Sequence, residues 1–276
     1  MWQPSNEQIQ RSQMFKFTEY INTSHKQNLK NYQDLHDWSV NNIPEFWADL
    51  WIFFNVIHSE PFTQVVDNVA KMPGAKWFTN ARLNFAENLL KRRDDKTALI
   101  FQGEGLPIRK LSYAELYITV AKTASALKAV GVKKGDRVAG FVPNMPESII
   151  AMLASASIGA IWSSSSPDFG IKGVLDRFSQ IEPKVLFAAN GYFYNGKSHD
   201  SLEKLKGILH KLPSVQKVVI IPYSEKDPDI SSIKNSELFA DFTDNDTEEL
   251  EFEQLPFDHP LYIMYSSGTT GLPKSI

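Results

Sequence analysis

Hydrophobic and polar positions along the 276-residue chain fall into two regimes. Over residues 1–95 the pattern is helical and rich in aromatics. Trp38, Phe46, Trp47, Trp51, Phe53 and Phe54 recur at helical spacings within 34–57, and such a stripe predicts core packing. Residues 80–90 place Leu83, Ala86, Leu89 and Leu90 on one face of a further predicted helix. From about residue 97 short apolar runs alternate with amphipathic stretches. Strands are predicted at 97–101, 137–142, 160–163, 184–188 and 217–221. Helices are predicted at 113–130, 147–158, 170–180 and 201–212. Ser112 and Glu115 have the spacing of a capping box, and Gly131 closes the helix they open. Strands alternating with helices of this length predict βαβ units, hence an α/β fold with a parallel sheet flanked by helices. Sites in such sheets lie at the carboxyl ends of the strands.

The pattern breaks at residues 225–254, where eleven acidic residues meet only two lysines. Such a charge run predicts a solvated linker. The chain then divides into an aromatic helical segment at 1–95, an α/β subdomain at 96–224, an acidic linker at 225–258 and the start of a further sheet at 259–276. Within the last piece, residues 261–265 read as a buried strand.

Composition excludes several classes. Lysine and arginine total 29 against 32 acidic residues, a net charge of -3, which argues against nucleic-acid binding. The chain has no cysteine, so disulfides, thiolate-bound metals and a cysteine nucleophile are excluded. The six histidines show no metal-ligand spacing. The longest apolar stretch, 149–162, is shorter than the ~20 residues a membrane span needs. The opening residues lack a basic and apolar leader, and the cytosol is the expected compartment.

Two glycine-containing segments compete as phosphate sites. The first is Ser266, Ser267, Gly268, Thr269, Thr270, Gly271, Leu272, Pro273 and Lys274, directly after a predicted strand. Glycines let backbone N–H groups approach an anion, hydroxyls donate to its oxygens, and a lysine adds a point charge. The second, residues 191–198, matches the phosphate-loop pattern G-x-x-x-x-G-K-[ST] between a predicted strand and a predicted helix. Tyr192, Phe193 and Tyr194 crowd the turn that would wrap a phosphate, and Pro222 follows the next strand where a magnesium-binding aspartate is needed. Ser163, Ser164, Ser165 and Ser166 form a loop at a strand end, read equally well as a plain turn or as the lining of a cleft.

The string from Tyr265 to Lys274 resembles the signature loop of the adenylate-forming acyl-CoA synthetase superfamily. Residues 77–90, 159–170, 173–178 and 250–257 are similar to the acetoacetyl-CoA synthetase family within it, so the resemblance covers nearly the whole chain. It implies a two-step ligase. Acetoacetate attacks the α-phosphorus of magnesium-bound ATP, then coenzyme A displaces AMP. It also implies that Ser266, Ser267, Gly268, Thr269, Thr270, Gly271 and Lys274 hold the ATP phosphates, and that Gly196 and Lys197 contact a phosphate of coenzyme A. The coenzyme A contact is implied by similarity to the related acetyl-CoA synthetases, in whose turn an arginine is expected where Asn195 stands here. The adenine site, the magnesium-binding acid, the acyl pocket and the catalytic residues are expected beyond Ile276, so this stretch alone is expected to lack ligase activity. The alternatives are a short non-catalytic protein that binds coenzyme A or ATP and, less favoured, a nucleoside triphosphatase built on residues 191–198.

Overall fold

The computed structural model describes residues 3–266 and 271–276. Among them two units separate, residues 1–82 with 256–258 and residues 83–255 with 259–276.

The first unit is helical, as its pattern predicts. It contains α1 (Asn6–Arg11), α2 (Gln13–Ser24), α3 (Tyr32–Asn41) and α4 (Ile43–Phe53), followed by the antiparallel pair β1 (Gln64–Val66) and β2 (Trp77–Thr79). Phe17, Ile21, Leu35 and Trp38 form its core, and Trp51 stacks on Phe78 at 5.0 Å. The expectation that all the aromatics pack inside holds for Trp38 and Trp51 but not for Trp47 and Phe54, which are 42% and 52% exposed. A single helix stripe is too narrow to bury consecutive aromatics. Asp49 is buried where His25 meets it at 2.6 Å and the Tyr20 hydroxyl donates to it at 3.2 Å.

After the short strand β3 (Arg82–Leu83), the helix expected across 80–90 shrinks to α5 (Phe85–Leu89). Its buried face is Ala86 with Leu90, whereas Leu89 is exposed. Asn84 starts it late because its side chain caps the Ala86 and Glu87 N–H groups.

After α5, the second unit continues with β4 (Thr97–Phe101) and β5 (Arg109–Ser112), an antiparallel hairpin separate from the parallel sheet. Then come α6 (Tyr113–Ala129), β6 (Arg137–Phe141), α7 (Pro146–Ser157), β7 (Ile161–Ser165), α8 (Ile171–Ile181) and β8 (Val185–Ala189). The capping box forms as expected. Ser112 Oγ accepts from Glu115 N–H at 3.1 Å and Glu115 accepts from Ser112 N–H at 2.7 Å. The chain continues through β9 (Gly191–Tyr194), β10 (Lys197–Asp200), α9 (Leu202–Leu209), β11 (Lys217–Ile221), β12 (Ser236–Leu238), α10 (Phe239–Phe242) and β13 (Leu255–Pro256).

Five strands form one parallel sheet in the order β12-β11-β8-β6-β7. Alternate residues of the central strands feed opposite cores, as the two-residue strand period requires. Val138, Val185, Phe187, Val219 and Ile221 pack with α6 and α7, while Ala139, Phe141, Leu186, Val218 and Ile220 pack with α8 and α9. Cover on both faces explains why β8 and β11 read as continuous apolar runs.

The acidic segment is more than a solvated linker. It supplies the edge strand β12, and it buries Ile233 and Phe242. Its carboxylates also reach basic residues, with Lys128–Glu251 at 3.1 Å, Lys134–Glu253 at 3.2 Å and Arg93–Glu249 at 3.5 Å. A three-residue strand containing Glu237 leaves no hydrophobic run to detect, which is why composition pointed to a linker.

Candidate functional site

Residues 261–264 run beside β7, the sheet's edge. Trp162 N–H donates to the Leu261 carbonyl at 3.1 Å, and Ile263 N–H donates to the Trp162 carbonyl at 2.9 Å. The strand expected at 261–265 is therefore a short parallel bridge, and it is not buried. Tyr262 and Met264 are 37% and 64% exposed, because among the described residues no further strand lies outside them.

The chain then enters an antiparallel hairpin of β14 (Tyr265–Ser266) and β15 (Lys274–Ser275). Ser266 pairs with Lys274 and Tyr265 with Ser275, while Met264 and Ile276 exchange backbone hydrogen bonds of 3.0 and 2.8 Å below them. This stem carries the expected phosphate loop. Ser266 and Lys274 lie on the stem and Gly271 precedes its returning strand, with Lys274 exposed. Gly271 has φ +98°, a conformation that favours glycine. Ser267, Gly268, Thr269 and Thr270 lie outside the described residues.

Helix α8 holds both sides of the stem. The Tyr265 hydroxyl donates to the Arg177 carbonyl at 3.2 Å, and the Arg177 guanidinium lies 5.7 Å from the Tyr265 ring and 4.3 Å from the Phe169 ring. Burial pushes the Tyr265 phenol above its ordinary pKa, against the pull of the Ser163 hydroxyl and the Arg177 charge. On the other side, the Gln180 amide donates to the Pro273 carbonyl at 2.8 Å and accepts from the Ser275 hydroxyl at 2.9 Å.

The serine run lies at the carboxyl end of β7, where the fold predicts a site. A cleft of about 490 Å³ opens there, with Ser163, Ser165, Phe169, Arg177, Tyr262 and Tyr265 among its lining residues. Ser163 donates to the Ile263 carbonyl at 2.8 Å. The Ser165 hydroxyl is buried and has no hydrogen-bond partner among the described residues. Of the two readings of the run, the structure favours a cleft wall.

The competing phosphate-loop motif has a different shape. Residues 191–200 form the β9–β10 hairpin, and its turn residues Asn195 and Gly196 have φ +51° and +73°. Asn-Gly is the dipeptide that such two-residue hairpin turns select. It was the local signal that separates this segment from a strand–loop–helix phosphate cradle. The Glu104 carboxylate accepts from the Gly196 N–H, and Lys197 projects from an exposed position. Gly196 and Lys197 thus sit on one hairpin, and Ser266, Gly271 and Lys274 on another.

A family model described as AMP-binding enzyme matches residues 85–276. The chain belongs to the AMP-binding enzyme family. A second model, described as the acetyl-coenzyme A synthetase N-terminus, matches residues 32–89 of this family member. Acetoacetyl-CoA synthetase of Xenopus tropicalis is 48% identical over 99% of the chain and 42% of its own length. Malonamoyl-CoA synthetase of Penicillium aethiopicum is 40% identical over 96% of the chain and 39% of its own. The solved acetoacetyl-CoA synthetase from Streptomyces lividans superposes with a TM-score of 0.90 at 40% identity, over the whole chain and 42% of that structure. This AMP-binding enzyme chain therefore spans about two fifths of the length of the relatives it matches.

Sequence reasoning missed Arg177 and Gln180 as parts of this site. They are remote from the loop in sequence, and α8 brings them to it only once the helix packs on the sheet.

Proposed function

We propose that this chain belongs to an acetoacetate–CoA ligase and supplies the hairpin that grips the ATP phosphates. The observation that carries the reading is the β14–β15 stem, which sets Ser266 opposite Lys274 at the base of a glycine- and hydroxyl-rich loop. In the first step an acetoacetate oxygen bonds to the α-phosphorus and the bond to pyrophosphate breaks. Negative charge moves onto the leaving group, where backbone N–H groups, hydroxyls and the Lys274 ammonium stabilise it. In the second step the sulfur of coenzyme A bonds to the acyl carbon and AMP leaves.

Among the described residues no cluster of acidic or imidazole groups converges on a metal site. In this reading the chain's own residues bind and orient the phosphates. Lys197, exposed beside the Asn195–Gly196 turn, offers a point charge to a phosphate of coenzyme A. Acetoacetate as the acid rests on the relatives at 48% identity, and the relative named for malonamoyl-CoA sets the nearest competitor. The cytosol is the compartment that goes with this reading. Among the described residues no helix is long and apolar enough to cross a membrane.

The test is acid-dependent exchange of pyrophosphate into ATP by the complete polypeptide. Exchange driven by acetoacetate at much higher kcat/KM than by malonamate or acetate is expected. Exchange driven best by another acid would overturn the substrate, and no exchange with any acid would overturn the ligase.

A further inference from the structure

Both polar atoms of the Gln180 side chain are hydrogen-bonded. Its amide nitrogen donates to the Asp176 carbonyl one helical turn back at 2.5 Å and to the Pro273 carbonyl at 2.8 Å. Its amide oxygen accepts from the Ser275 hydroxyl at 2.9 Å. Both outward bonds land on the returning arm of the hairpin, on either side of Lys274. The Tyr265 hydroxyl fixes the other arm to the same helix, through the Arg177 carbonyl three residues earlier. Positions i and i+3 of a helix share a face, so α8 presents one anchor to each arm.

We infer that Gln180 is a positioning residue that holds Lys274 and the end of the loop in register for the phosphates of a nucleoside triphosphate. The inference rests on the reading of 266–274 as a phosphate loop, and deepens it. Positioning needs a planar group with donor and acceptor about 2.2 Å apart, which an amide supplies. A carboxylate of the same shape keeps the contact to Ser275 but sets a negative oxygen against two carbonyls, so Gln180→Glu is the informative isostere. A lysine displaced by an ångström loses much of its value to a transition state, because catalysis depends on pre-set charges.

The test uses the complete polypeptide in the acid-dependent exchange assay. Gln180→Ala, which loses both bonds to the hairpin, is expected to raise the KM for ATP about tenfold, and Gln180→Glu, which loses the one to Pro273, by severalfold. The KM for the acid and for coenzyme A should stay within experimental error, and the unfolding midpoint should fall no further than loss of such surface hydrogen bonds explains. Ser275→Ala probes the same contact without touching α8, and its effect should not add to that of Gln180→Ala. ATP KM values within twofold of the parent for both Gln180 variants overturn the inference. So does an equal loss in every parameter together with a lowered midpoint, since that marks a merely structural role. Lys274→Ala separates the two levels. If it leaves the ATP KM unchanged, the phosphate-loop reading itself fails; if it raises the KM while Gln180 variants do not, only the role of Gln180 fails.

Discussion

The Tyr265 hydroxyl donates to the Arg177 carbonyl at 3.2 Å while the guanidinium of the same arginine lies 5.7 Å from the tyrosine ring. One residue of α8 thus holds the outgoing arm of the loop both by its backbone and by its charge. Tyr265→Phe keeps the ring and removes the bond to the carbonyl. It is expected to cost about 1 kcal/mol of stability, read as a shifted denaturant midpoint with an unchanged slope.

Asn84 joins three segments. It is fully buried, and its amide nitrogen lies 2.8 to 3.1 Å from the carbonyls of Ala156, Ser157 and Glu253 while its oxygen caps α5. Asn84→Ala strands these buried groups and should cost about 3 kcal/mol or more, at ~1–3 kcal/mol for each group left unpaired. Asn84→Asp should be no better, because a carboxylate cannot donate to carbonyls. Urea unfolding of both variants measures this, and a loss below 1 kcal/mol would contradict the assignment.

The two glycine hairpins predict different kinetics. In the complete polypeptide Lys274→Ala should raise the KM for ATP by about tenfold or more, the scale of one charge-assisted contact. Lys197→Ala should leave ATP use unchanged and raise the KM for coenzyme A. Loss of ATP turnover in Lys197→Ala with full activity in Lys274→Ala would reverse the two assignments.

Gly191 carries a structural burden that its place in a phosphate-loop motif conceals. A Cβ there would lie 2.6 Å from the His199 carbonyl oxygen and collide with the Ser224 side chain. Gly191→Ala should therefore destabilise the second unit by about 1–3 kcal/mol through overpacking, with no selective effect on nucleotide binding. Thermal unfolding with and without ATP distinguishes the two.

Asp67 gives the first unit an acid-dependent contact. Its carboxyl accepts from the Lys71 ammonium and from the Lys76 N–H, which brings its pKa down to about 2. The folded form prefers the ionised group, so the contribution is present above the ordinary aspartate range and is lost as pH falls through about 2. Carbon-detected NMR of the Asp67 carboxyl should show a midpoint near 2, and a midpoint near 4 would exclude the contact. Asp67→Asn should flatten the dependence of stability on pH in this acidic window.

The chain's local pattern by itself determined the alternation of β6, α7, β7, α8, β8, α9 and β11, because cover on both sheet faces demands continuous apolar strands and one-sided helices. It also determined the Ser112 cap and the composition of the loop at 266–274, since hydroxyl, glycine and lysine chemistry is local. The Asn195–Gly196 turn likewise marks residues 191–200 as a local hairpin. Only the tertiary structure decided that the acidic run lends β12 to the sheet and that Gln180 and Arg177 reach the loop. Those outcomes depend on contacts between residues dozens of positions apart, such as the Gln180–Pro273 bond. Partners so distant leave no periodicity within one segment for a local pattern to reveal.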